Sequence, residues 1–171
     1  MAANASGSET VLMTDSTRGS ELSTYLLTWN PAKWPWDDLA ECIQQVKATG
    51  RYRERWSCGR NRKIVEGDRL FLLRQGLEPR GIVGSGWAVS EVFDDWHWDE
   101  AKRAAGQRAW CIEMEFDVLL DAEHEPILPR ARLNEGVLGQ MYWDSQSSGV
   151  LIPEKVAKQL ERVWTRLTTN N

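Results

Sequence analysis

The alternation of apolar and polar positions divides this chain into strands and helices before any single residue is considered. "STYLLTW" (23–29) is apolar and rich in strand formers, which predicts a buried first strand. Pro31 and Pro35 then exclude regular structure through "NPAKWP". Leu39, Cys42, Ile43 and Val46 form the i, i+3, i+4, i+7 stripe of an amphipathic helix, with Asp37 and Asp38 at its start, Lys47 in its last turn and Gly50 to end it. A basic loop follows, then a strand over 69–74 ("RLFLLR") and a turn at "GLEPRG". One long glycine-interrupted strand is predicted over 81–93 ("GIVGSGWAVSEVF"), and a further strand in "AWCIEMEFDVLLD". "ILPRARL" fits a short edge strand or a turn. Pro153 opens a final helix whose stripe is Val156, Leu160, Val163, Trp164 and Leu167. Consecutive strands with glycine-rich turns imply an α+β fold, a mainly antiparallel, strongly curved sheet covered by two helices.

Length and composition narrow this picture. The 171 residues suit one domain, read as 23–171 behind a flexible N-terminal tail over residues 1–22. No run of 18 apolar residues is present, and the N-terminus lacks the basic start and apolar block of a secretion signal. Three well-separated cysteines, Cys42, Cys58 and Cys111, fit a reducing compartment, so a cytoplasmic protein with no membrane partner is expected. The aromatic balance is unusual: ten Trp stand against three Phe and three Tyr. Bulk alone calls for Leu, Ile and Phe, whereas Trp also suits surfaces that stack on a ligand. Three of the ten, Trp29, Trp34 and Trp36, fall in "TWNPAKWPWDDL". The competing account of any one of them is core packing. Net charge is −4, which disfavours indiscriminate nucleic-acid binding, yet "RYRERWSCGRNRK" (51–63) concentrates six cations against one acid. Arg51, Arg53, Arg55, Arg60, Arg62 and Lys63 are therefore the candidate phosphate contacts beside Trp56.

Familiar catalytic signatures are missing. There is no GxxxxGK[ST] loop, "GIVGSG" has the wrong glycine order for a dinucleotide fingerprint, and "GSG" is not a nucleophile elbow. Asp94, Asp95 and Asp99 beside His97 alternate in direction on a strand, so no metal site is assigned, and no cofactor or catalytic residue either. Aromatics with short polar neighbours remain: Trp29 with Asn30, Trp56 with Ser57, and Trp143 with Gln146, Ser147 and Ser148. Each pairing offers a π-face beside a group that reads an edge, which is the equipment for holding a flat heterocycle.

Together, "YLLTWNPAKWPW", "RWSCGRNRKIVEGDRLFLLRQGLEPRGIVGSGWA", "HWD" and "SQSSGVLIP" resemble the EVE domain family, across about residues 23–167. The resemblance is narrowest to the EVE-like domains that precede HNH nuclease domains in bacterial modification-dependent restriction enzymes. It implies a PUA-like curved β-barrel flanked by helices, related to YTH domains. It also implies a reader of DNA carrying modified cytosine, 5-methylcytosine or 5-hydroxymethylcytosine, with the flipped base in an aromatic cage. By matching motifs, base-binding roles pass to Trp29, Asn30, Trp36, Trp56, Ser57, Gln146 and Ser148, with Trp87 and Trp143 in second rank. No HNH motif occurs in the 171 residues, so binding without cleavage is the expectation, any nuclease being a partner in trans. A reader of modified RNA and a regulator or hydrolase of small nucleoside-like ligands are the alternatives; the same cage would take a free heterocycle.

Overall fold

Burial in the computed structural model, which describes residues 21–170, follows the apolar pattern closely. The expected tail at 1–22 lies almost wholly outside the described residues. Strand β1 (Thr24–Trp29) leads through the proline-bearing turn into α1 (Leu39–Thr49), which buries Cys42, Ile43 and Val46. Next come β2 (Tyr52–Ser57), β3 (Arg69–Arg74), β4 (Gly81–Ala88) and β5 (Phe93–Trp96). A short helix α2 (Glu100–Ala104) precedes the long strand β6 (Arg108–Leu119) and the two-residue β7 (Leu128–Pro129). Two 3-10 turns, Arg130–Asn134 and Gly136–Gln140, lead to β8 (Val150–Ile152) and α3 (Glu154–Thr169).

All eight strands form one sheet, ordered β2-β6-β4-β3-β1-β8, with β5 on β6 and β7 on β4. Every pairing is antiparallel except β1 with β3, where Leu26 faces Phe71 in parallel register. That one parallel pair needs a crossover, supplied by α1 and β2, so the sheet is mixed. Strand β3 is buried along its whole length, as a continuous apolar run between Arg69 and Arg74 requires.

Three elements depart from the sequence expectation. The basic loop is half strand: in "RYRERWS" the arginines alternate with Tyr52, Glu54 and Trp56, a period of two hidden by the charge. The single strand expected over 81–93 is two. Ala88 pairs with Met114 and Phe93 with Cys111, so β4 and β5 together hold two more residues than β6 spans, and these bulge out. The Ser90 hydroxyl accepts the Glu113 N–H at 3.0 Å within that bulge. Helix α2 was not expected; Asp99 caps it, accepting the Lys102 N–H at 3.1 Å.

Helix α3 is tied to the sheet by a polar chain. The Trp164 indole N–H donates to Ser85 Oγ at 2.8 Å, and Ser85 donates to Asp117 at 2.6 Å. Arg69 then donates to Asp117 at 2.9 Å and to Glu161 of α3 at 2.6 Å. Arg69 is nearly buried, and two carboxylates plus the Gly86 carbonyl satisfy its guanidinium.

The two ends of the sheet close on each other where β2 runs out and β8 begins. Gly59 and Gly149 both have left-handed backbone, φ 62° and 80°, and each lies against the other's neighbour. A Cβ on Gly59 would stand 2.5 Å from the Ser148 carbonyl oxygen, and one on Gly149 would run into that of Cys58. Asn61 Nδ2 donates to the Gly149 carbonyl at 2.7 Å, and the Gly149 N–H donates to Leu26 at 2.9 Å. This closure predicts that Gly149→Ala destabilises by about 3 kcal/mol, combining left-handed strain with the steric conflict. Gly50→Ala, also at left-handed φ but with open space around it, costs about 1 kcal/mol. Urea unfolding midpoints measure both; equal losses would mean that the close approach contributes nothing.

Candidate nucleic-acid interface

The proline turn after β1 folds back because Asn30 organises it. Its backbone carbonyl accepts from the N–H groups of Lys33 and Trp34, both at 3.0 Å, and its Oδ1 accepts from Ala32 at 3.0 Å. Trp34 is thereby laid over Trp36, with ring centres 5.7 Å apart and stacked. Trp56 of β2 meets Trp34 edge-on at 4.8 Å and Trp36 at 5.1 Å, while Trp29 meets Trp36 edge-on at 5.6 Å. Two indole N–H groups serve the scaffold: Trp29 donates to the Trp34 carbonyl at 2.8 Å and Trp56 to the Thr28 carbonyl at 3.1 Å. The four rings form one rigid unit.

Above this unit opens a hollow of about 520 Å³. Trp29, Trp34 and Trp56 contribute to its floor and one wall, and Trp98, just before α2, approaches from another element. Asn30, Ser57, Gln75, Gln146 and Ser148 supply polar edges. Ser148 Oγ accepts the Thr28 N–H at 3.2 Å and Gln75 Nε2 donates to Ser145 at 2.8 Å, so both side chains are held in place. Lys33, Arg55, Arg60 and Arg103 also line the hollow, against the single carboxylate of Glu54. Glu54 accepts from the Tyr52 hydroxyl at 2.6 Å. Burial raises the Tyr52 pKa, so the phenol stays protonated and remains the donor. Arg55 is ion-paired with Asp95, and its hydrogen bond holds that carboxyl below the usual range.

Of the base-binding residues expected from sequence, the hollow gathers Trp29, Asn30, Trp56, Ser57, Gln146 and Ser148. It leaves out three. Trp36 lies buried behind Trp34 and Trp56 as their backing. Trp143 is 1% exposed and donates to the Leu138 carbonyl at 2.8 Å, as a core residue. Trp87 is 44% exposed but lies under the Arg69 guanidinium, 4.5 Å away, next to the α3 anchor. Of the candidate phosphate contacts, Arg55 and Arg60 border the hollow. Arg51, Arg53, Arg62 and Lys63 do not; Arg53 pairs with Glu115 and Arg62 stacks on Trp110 at 4.2 Å. Sequence reasoning passed over Lys33, Trp34, Gln75, Trp98 and Arg103 as site residues. Trp34 and Trp98 were visible inside quoted motifs; Gln75 and Arg103 carry no local signal.

The remaining reactive groups are otherwise engaged. Asp94 pairs with Arg108, Asp95 with Arg55, and Asp99 caps α2, while His97 Nδ1 accepts the Asp99 N–H at 3.0 Å. Burial lowers the His97 pKa, favouring the neutral ring that this bond needs. No cluster of potential metal ligands occurs among the described residues, and none of their helices is long and apolar enough to cross a membrane. The three thiols are free and buried.

The curved mixed sheet and its flanking helices make an α+β domain with a PUA-like fold. Solved structures of the same fold include a hypothetical protein from Leishmania major, 16% identical at a TM-score of 0.62, the match covering 88% of this chain and 99% of that one. Protein PSPTO5229 from Pseudomonas syringae is 19% identical at 0.53, with 82% and 99% covered. Human THYN1, solved in complex with DNA containing 5-methylcytosine, is 16% identical at 0.53, with 82% and 96% covered. No protein-family model and no curated protein matches the sequence.

Thiol chemistry provides a direct check on the closed site. Burial pushes the Cys58 thiol up to about 11 and raises Cys111 as well. Alkylation of Cys58 in the native protein at pH 7.5 should therefore run about 100-fold slower than in urea. Mass spectrometry of the labelled peptides reads this out, and rapid native labelling of Cys58 would show that the seam beside the hollow is open.

Proposed function

We propose that this protein is a reader of modified DNA, which captures a flipped 5-methylcytosine or 5-hydroxymethylcytosine in the indole-walled hollow. The observation that carries the reading is the convergence of partly exposed Trp34 and Trp98 on one cavity whose lining includes four cations. A planar base enters between aromatic faces, and serine, asparagine and glutamine groups meet its edge. The 5-methylcytosine DNA bound by THYN1, a protein of the same fold, supports the choice of ligand.

The energetics are consistent. Extruding a base costs on the order of a few kcal/mol, and stacking returns about 1–3 kcal/mol per aromatic contact. Two walls therefore offset extrusion, and Lys33, Arg55, Arg60 and Arg103 add phosphate attraction despite the net charge of −4. Because the Trp29 and Trp56 N–H groups are already engaged, these rings stiffen the floor and leave edge reading to Asn30, Gln146 and the hydroxyls. A methyl group buried against such a wall contributes about 1–3 kcal/mol, so preference over plain cytosine is on the order of 10- to 100-fold. The reading assigns no bond cleavage to this chain; a nuclease would act as a separate partner.

The test is a fluorescence titration on matched duplexes with one modified or plain cytosine. Trp34→Ala and Trp98→Ala should each weaken binding to the modified duplex about 10- to 100-fold, while Trp87→Ala, outside the hollow, should not. Equal affinity for both duplexes would remove the reading. Preference for an RNA of the same sequence would replace it with recognition of modified RNA.

A further inference from the structure

A second hollow of about 280 Å³ lies beside the first and shares Gln75 and Gln146 with it. Its lining carries three arginines, Arg74, Arg80 and Arg130, against one carboxylate, Asp144. Arg74 is the last residue of β3 and is 5% exposed, with its guanidinium 5.6 Å from the Trp29 ring. A buried guanidinium is costly unless its donors are satisfied. Its one ion-pair contact is with Glu123, at 3.6 Å from Nη2, which is too long for a hydrogen bond. Its Nε–H is buried and has no acceptor among the described residues.

The other two arginines differ in how firmly they are engaged. Arg130 donates to both Asp144 oxygens, at 2.9 and 2.8 Å, and to Asn134 at 2.8 Å, so it is a fixed positive wall. Arg80 is half exposed and donates to Glu78, two residues away, at 2.6 Å. A pair this exposed is weak and readily exchanged for a stronger acceptor.

We propose that this second hollow is an anion site that takes the phosphate group attached to the base held in the first. The proposal rests on the reading above for its orientation and on Arg74 for its chemistry. A phosphate oxygen supplies the acceptor that the Arg74 Nε–H lacks, Arg80 turns from Glu78 to a second oxygen, and Arg130 contributes its charge while held by Asp144. The shared glutamines then lie between the base and its phosphate. None of the three arginines belongs to the basic segment 51–63.

Inorganic phosphate is the first probe, added to the ¹⁵N-labelled full chain at constant ionic strength. The Arg74 Nε–Hε resonance should shift and saturate in the millimolar range. Arg80→Ala should weaken this at least fivefold, and Glu78→Gln, which releases Arg80, should strengthen it. The second probe compares 5-methyl-2′-deoxycytidine with its 3′- and 5′-monophosphates. One monophosphate should bind at least tenfold tighter than the nucleoside, and Arg80→Ala should bring that ratio close to one. A single-stranded oligonucleotide with an internal 5-methylcytosine then separates the sources. Retention of the Arg80 effect there identifies a strand phosphodiester, and its loss identifies a free nucleotide. Saturable phosphate binding without any nucleoside binding would keep the anion site and remove the base reader. Absence of an Arg74 shift, or shifts spread evenly over Arg51 and Arg53, would overturn the proposal.

Discussion

The site depends on one backbone constraint: the meeting of the chain at Cys58–Gly59 with the chain at Ser148–Gly149. A curved sheet with free ends has no interior, and the two glycines let its ends approach without side chains between them. The Trp56 indole adds a second tie from β2 to β1 through the Thr28 carbonyl, and Ser148 takes the Thr28 N–H. Both polar groups of one peptide region are thus satisfied by residues that also face the hollow. Closure and site construction are the same event.

The tryptophans divide by use. Trp36 and Trp143 fill volume, Trp164 anchors a helix through its N–H, and Trp29 and Trp56 fix the floor. Trp34 and Trp98 keep enough exposed face to meet a ligand. Despite the negative net charge, cations outnumber carboxylates in the lining of both adjoining hollows, four to one and three to one. Asp95 and Asp144 each hold an arginine beside a hollow, which orders the cation at the expense of part of its field.

The parts legible in the sequence were those with long, unbroken periodicity. The stripes of α1 and α3 and the apolar run of β3 appear where the pattern placed them. Strand β2 is hard to see in the sequence because arginines fill alternate positions, so its period of two reads as a basic run. The break between β4 and β5 depends on the register against β6, which lies some twenty residues away and is invisible locally. For the site, adjacency to a polar residue singles out Trp29 and Trp56, which line the hollow, and also Trp143, which does not, because its direction is set by the 3-10 turn that accepts its N–H. Gln75 and Arg103 reach the hollow only through tertiary packing.

Strand β1 has a bearing on how the molecule is made. Its neighbours are β3, some 45 residues on, and β8, which supplies Val150–Ile152 and, just before it, the hydroxyl that caps Thr28, 120 residues later. Contacts of such separation pay their loop-closure entropy before they return anything. As the chain leaves the ribosome, β1 waits for residues 148–152 to emerge, and the hollow closes only after that. A fragment that stops short of Ser148 thus holds most of the indoles yet lacks the segment that closes the hollow.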